Sequence, residues 1–315
     1  MMVKRASLMV GVLALILIVL AGQSVFAAQK FTIGATIWNM SVPFYANFIK
    51  GLNDGAAKYG VTLLLRDGQG DPNTQVAVVR QFIAEKVDAI VIVPGDAQAV
   101  VPVIKQANQA GIPVIAANNK VGEGAQTVTF VGADDFYFGQ QQGKLLVEAI
   151  GKKGRVGYLM GQLGTSAQIL RKQGLEDYLK KYPDIKIVSE ISEGWDSAKA
   201  LAATQDMLSR YPSGQLDAII CQGPEGVPGA QYALQAGRKE IKWILGDYPQ
   251  DVREAVRKGT IYGTVDQDPY PQAVEAMHMA SLYLTGQKAK IPAPNYFLEL
   301  PLITKKNVEQ FSAAW

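Results

Sequence analysis

The sequence predicts an α/β protein built from two doubly wound domains with parallel sheets. Three observations carry that prediction. Short β-branched runs alternate with amphipathic segments along the chain, the pattern of βαβ units whose sheets are covered by helices on both faces. The pattern of one half recurs in the other: GLNDGAAKYGVTLLL (51–65) precedes DAIVIVPGDAQAV (88–100), and GLEDYLKKYPDIKIV (174–188) precedes DAIICQGPEGVPGA (217–230). A length of 315 residues, 48% hydrophobic and 19% charged, suffices for two cores. The recurrence reads as one βα module used twice, a chance likeness among βα units being the alternative.

The first residues stand apart. Lys4 and Arg5 precede an apolar run over 8–22, and Val25 and Ala27 then have the spacing of a small-residue cleavage site. Residues 1–27 read as a secretory signal peptide, with a mature chain starting at Ala28. A retained membrane anchor is the alternative, since the run is nearly long enough to span a bilayer.

Strands are expected at FTIGATI (31–37), VTLLL (61–65), DAIVIV (88–93), PVIAA (113–117), RVGYLM (155–160), DAIIC (217–221), WILG (243–246) and IYGTV (261–265). Helical spacing appears between them, as with Phe48, Leu52, Ala56 and Tyr59. Ligands of such sheets bind beyond the strand carboxyl ends. The aromatics of WNMSVPFY (38–45) therefore line a cleft between two domains, or else pack the first helix onto its sheet.

Composition excludes several classes of function. Without Lys4 and Arg5, 29 basic residues face 28 acidic ones, which leaves no basic surface for nucleic acid. Cys221 is the only cysteine and reads as a buried thiol, and His278 is the only histidine, in the helical PQAVEAMHMASLYL. Metal and Ser-His-Asp chemistry therefore lack their parts. The glycines of GYLMGQLGTS lack dinucleotide-binding spacing, and no cofactor is expected. Asp96 and Asp196 read as helix caps.

The runs FTIGATIWNMSVPFYANFIKGLNDGAAKYG, QFIAEKVDAIVIVPGDAQAVVPVIKQANQAGIPVIAANN, GQLGTSAQILRKQGLEDY and GTVDQDPYPQA resemble the periplasmic sugar-binding proteins of the ribose-binding type, which serve ATP-binding-cassette importers. The resemblance covers the mature chain. It implies a type I periplasmic-binding fold, two Rossmann-like domains joined by a three-strand hinge. The N-terminal domain then spans 28–133, completed by 268–297, and the C-terminal domain 134–267, completed by 298–315. Hinge segments fall near 133–135, 265–268 and 297–298. Implied partners are a small polyhydroxylated ligand (a pentose, hexose or polyol) and a membrane permease, the binding protein itself being a monomer.

The family's site residues fall on Trp38, Phe44, Tyr45, Asn118, Asn119, Arg171, Trp195, Asp247 (or, without a gap, Tyr248) and Gln267. A sugar ring has apolar faces and a polar rim, so Trp38, Phe44, Tyr45 and Trp195 suit its faces. Asn118, Asn119, Arg171, Asp247 and Gln267 suit its hydroxyls. Taken alone, Arg171 reads better as a solvated helix arginine.

Two departures disfavour ribose itself. Asn118-Asn119 replaces an Asp-Arg pair, and Gly223-Pro224 replaces an Asn-Asp pair. The cleft becomes more aromatic and less charged, which leaves another pentose or hexose, a sugar alcohol or a furanose-like signalling molecule. A secreted α/β enzyme acting on sugars, or a partner of a sugar-sensing chemoreceptor, is the alternative function.

Overall fold

The computed structural model describes residues 31–315. The expected signal peptide and its cleavage site lie outside the described residues. In the first half of the chain, β1 (Thr32–Ile37), α1 (Phe44–Tyr59), β2 (Thr62–Asp67), α2 (Pro72–Ala84), β3 (Ala89–Val93), α3 (Val101–Gln109), β4 (Val114–Ala117) and β5 (Phe130–Gly132) follow in strict alternation until the last pair. The second half holds α4 (Asp135–Ile150), β6 (Lys153–Met160), α5 (Ser166–Leu179), β7 (Asp184–Ser192), α6 (Ser197–Arg210), β8 (Ala218–Cys221), α7 (Val227–Gln235), β9 (Lys242–Gly246), α8 (Gln250–Lys258) and β10 (Gly263–Val265). After it come α9 (Pro269–Leu284), β11 (Asn295–Phe297) and β12 (Leu302–Thr304).

These strands form two six-stranded sheets, in the orders β11-β5-β4-β3-β1-β2 and β12-β10-β9-β8-β6-β7. Every pairing is parallel except that of β12 with β10. The two-domain α/β fold is the one expected. The chain passes between the sheets after β5, after β10 and between β11 and β12, at residues 133–134, 266–268 and 298–301.

Central strands are apolar because both faces are covered. All five residues of β3 are buried. On α1, Phe48, Leu52 and Ala56 form one buried stripe, and α9 returns from the second half to pack beside it in the same core. In the second lobe, α4 and α5 approach to backbone contact, because a Cβ on Gly139 would strike the Arg171 carbonyl and one on Gly174 the Phe136 carbonyl. That approach sets Arg171 against Asp135.

Four strands escaped the sequence pattern for physical reasons. Three of them (β5, β11 and β12) have only three residues each. The fourth, β7, is an edge strand whose exposed Asp184, Lys186 and Glu190 interrupt its apolar run.

Candidate functional site

Parallel strands present their carboxyl ends at one edge of each sheet, and the two lobes bring these edges together. Asn118 and Asn119 follow β4, Trp195 lies beyond β7, Asp247 follows β9 and Gln267 lies two residues past β10. Phe44 and Tyr45 open α1, and Arg171 sits in α5. Three of these residues hold left-handed backbone, Asn118 at φ 58°, Trp195 at 63° and Asp247 at 62°. Asn and Asp tolerate that region, whereas for Trp it is strained, and such strain concentrates where side chains are aimed at ligands.

Phe44, Tyr45, Asn118, Asn119, Arg171, Trp195, Asp247 and Gln267 line one cavity between the lobes, together with Val42, Ala167 and Glu225. Two sequence expectations change. Trp38 is not among the residues lining this cavity: its ring lies over Gly95, with Nε1 donating to the Tyr45 hydroxyl at 2.8 Å, and it borders the adjoining cleft with Phe44, Trp195 and Glu225. Tyr248 is fully buried in the second core, its hydroxyl donating to the Val308 carbonyl, so Asp247 is the one of the two that reaches the cavity.

A single polarised chain of hydrogen bonds joins the lobes. Trp38 Nε1 donates to Tyr45, whose hydroxyl donates to Asn118 Oδ1 at 3.1 Å. Asn118 Nδ2 donates to Gln272 Oε1 at 3.1 Å, Gln272 Nε2 to Gln267 Oε1 at 3.2 Å, and Gln267 Nε2 to Asp247 Oδ1 at 3.0 Å. An indole can only donate and a carboxylate can only accept, so the two ends fix the direction of every amide between them. Bonds aligned head to tail polarise one another, and all of that polarisation favours negative charge on Asp247.

Arg171 is buried, and two of its five N–H donors are committed within the protein. Its Nε donates to Asp135 Oδ1 at 2.9 Å and its Nη1 to the Gln222 carbonyl at 2.8 Å, while the guanidinium lies 3.8 Å from the Phe138 ring centre. The remaining edge lines the cavity. It therefore combines a buried ion pair with further donors at the cavity.

The acids around the cavity are held toward their neutral forms. Burial pushes Asp247 up to about 6, against the pull of Arg171 and of the Gln267 hydrogen bond. Burial likewise pushes Glu193 up to about 8 and raises Glu225 well above the usual carboxylate range. Cys221 is buried as expected, with its Sγ directed at Glu193 Oε1, and burial raises its thiol too. One polar atom each from Glu193, Cys221 and Glu225 lies within 4.8 Å of the others. Protonated groups suit hydrogen bonding better than ion coordination, which needs them deprotonated.

Around this centre the lobes touch directly. Ala97 N donates to the Gly164 carbonyl at 3.1 Å, Lys120 N to Ser166 Oγ at 2.6 Å, and Asn47 Nδ2 to the Ala314 carbonyl at 2.7 Å. Trp315 meets Phe44 edge to face with ring centres 5.3 Å apart. The site is thereby closed on several sides.

Asp196 caps α6 as expected, accepting from Ala198 N and Lys199 N. Asp96 instead closes a turn ahead of α3, accepting from Gln98 N and Ala99 N, and Val100 holds the cap position. His278 stacks on Tyr59 away from the cavity. Sequence reasoning missed Glu225 and Gln272. Glu225 carried one usable signal, an acid just past the carboxyl end of an apolar strand. Gln272, inside a helix, carried none.

Residues 33–288 match the family described as periplasmic binding protein domain. The chain is 30% identical to a xylitol-binding protein of Mycolicibacterium smegmatis, over 92% of this chain and 81% of that protein. It is 28% identical to the ribose import binding protein of Escherichia coli, over 97% of this chain and 100% of that one. Among solved structures, a transporter solute-binding protein of Bacillus halodurans with bound myo-inositol superposes with a TM-score of 0.84, at 26% identity, covering 92% of this chain and 100% of that one. With the site at the meeting edges of two parallel sheets and the match spanning both, the chain belongs to the periplasmic binding protein domain family.

Proposed function

We propose that the protein is the periplasmic binding component of an ATP-binding-cassette importer and captures a small sugar or polyol between its lobes. It is a binding protein and not an enzyme, as its family implies. The observation that carries the ligand class is the cavity itself. Aromatic walls from Phe44, Tyr45 and Trp195 flank a rim of Asn118, Asn119, Arg171, Asp247 and Gln267, drawn from both lobes. Each hydroxyl buried there must recover the hydrogen bonds it made with water, and an unmatched one costs roughly 1–3 kcal/mol.

Both lobes contact the ligand only when they are closed. Ligand therefore shifts the population toward closure by its differential affinity, with rotation about the three crossings. The permease then recognises the closed face, and the protein acts as a monomer after an N-terminal signal peptide is removed. Similarity to proteins named for xylitol and ribose import favours a five- or six-carbon polyhydroxylated ligand.

Thermal denaturation against a panel of pentoses, hexoses, pentitols and inositols tests this directly. A true ligand at 100 times its Kd should stabilise the protein by about 2.7 kcal/mol. A flat panel at millimolar concentrations would overturn the assignment.

The two tryptophans should separate. Trp195→Ala removes a half-buried cavity wall and should weaken binding several-fold with a small change in melting temperature. Trp38→Ala removes a core ring and should lower stability by roughly 3–5 kcal/mol. The reverse pattern in paired Kd and Tm measurements would put Trp38 back at the ligand.

A further inference from the structure

The geometry points to Glu225 as a ligand-contacting residue that acts as a neutral carboxylic acid, donating its O–H to an oxygen of the bound sugar or polyol. This rests on the sugar-binding assignment above and adds a specificity-determining donor to it.

Glu225 sits in a short turn (Pro224–Gly226) just past β8 and lines the cavity, with a side chain only 7% exposed. Its Oε2 is buried and has no hydrogen-bond partner in the protein. The position of Gly223 explains how the carboxyl fits. A Cβ there would collide with Glu225 Oε2 and lie 3.0 Å from the Trp195 ring, so a larger residue at 223 and this placement of Glu225 exclude each other. The glycine noted in the sequence as a lost amide therefore makes room for a different polar group.

The surrounding charges decide its protonation. Glu193 faces it from the loop after β7, Asp247 from the end of β9 and the Cys221 thiol from β8, while Arg171 on α5 is the cation that favours its ionised form. That cation is already paired with Asp135. Carboxylates this close in a dry pocket do not all ionise together, and Glu225, with burial as the leading cause, is held well above its ordinary range. Asp247, the terminus of the hydrogen-bond chain, takes the charge, and Glu225 keeps its proton. One side chain of the lining then accepts from hydroxyls and a neighbouring one donates, which suits a ligand whose hydroxyls must do both.

The test is calorimetric titration of xylitol, D-ribose and myo-inositol from pH 6.5 to 9, with wild type, Glu225→Gln and Glu225→Leu, and melting temperatures recorded for each. For any panel member bound by the wild type, Glu225→Leu should lose about tenfold or more in affinity at pH 6.5. Glu225→Gln, a neutral donor of the same shape, should rescue most of that loss. Wild-type affinity should fall as pH rises and Glu225 gives up its proton, whereas Glu225→Gln should flatten that fall. Asp266 on the hinge and Glu193 beside Glu225, both held up to about 8, titrate in every variant, so the difference between profiles is the readout. A folded Glu225→Gln that binds no better than Glu225→Leu, or one whose pH profile matches the wild type, would overturn the donor role alone. A wild type that binds no panel member would overturn the sugar assignment and the donor role with it.

Discussion

Asp247→Asn should weaken ligand binding by roughly 100-fold or more, the largest effect on affinity expected of any single cavity residue. The carboxylate accepts from hydroxyls, hydrogen bonds to a charged group contribute roughly 1.5–3 kcal/mol each, and two such bonds exceed two decades in Kd. Asparagine is the informative replacement, because position 247 has a φ of 62° that Asn tolerates and Ala does not. The variant should therefore keep its fold, and a melting temperature near wild type is part of the prediction.

Its pH dependence has a definite sign. Burial pushes Asp247 from 3.8 up to about 6, and the ionised form binds hydroxyl donors, so wild-type affinity should fall as pH drops through about 6. Asp247→Asn should lack that fall. Ligand-free stability moves the other way. A carboxyl with a raised folded pKa holds more protons folded than unfolded between about 4 and 6, so its contribution diminishes as pH rises across that window. Opposite slopes for affinity and ligand-free stability below pH 6 would identify the group. Parallel slopes would show that general acid unfolding dominates.

What the sequence disclosed depended on whether local pattern carried it. The central strands were legible because burial on both faces makes them unbroken apolar runs, as in β3. The cavity lining was legible because strand carboxyl ends are marked in sequence by the residue that follows each run, as with Asn118 after β4 and Asp247 after β9. Contacts between distant segments were not. Nothing local to Trp38 says that its indole donates to Tyr45, since the hydrogen bond depends on where α1 settles over β1. Gln272 lies on a buried helix face where an apolar residue would fit the pattern better, and its amide makes sense only once Asn118 and Gln267 lie on either side of it. Glu225 was hidden by the same kind of coupling, because the space it fills is defined by Gly223 and Trp195.

Arg171→Met should be the most destabilising substitution at the site, and it separates a structural role from a ligand-binding one. Arg171 and Asp135 are 2% and 1% exposed in their side chains and meet at 2.9 Å. Removing one partner of a buried pair costs roughly 3–5 kcal/mol, because the other charge is left without compensation. Asp135 Oδ2 already lacks a hydrogen-bond partner, and the Gln222 carbonyl would lose its donor as well. At about 2–4 °C per kcal/mol, the melting temperature should fall by roughly ten degrees. Adding Asp135→Leu removes the stranded carboxyl, so the double variant should regain much of the loss, and that recovery distinguishes a stranded charge from a simple packing defect. The competing role, a ligand donor with a dispensable structural contact, forecasts a weakened Kd with a melting temperature within about two degrees of wild type. Melting curves of the ligand-free single and double variants decide between them. A stable Arg171→Met protein would return Arg171 to the list of residues whose first task is the sugar, while a large loss reversed by Asp135→Leu would make the pair the clasp that holds α4 against α5 and so fixes the cavity wall.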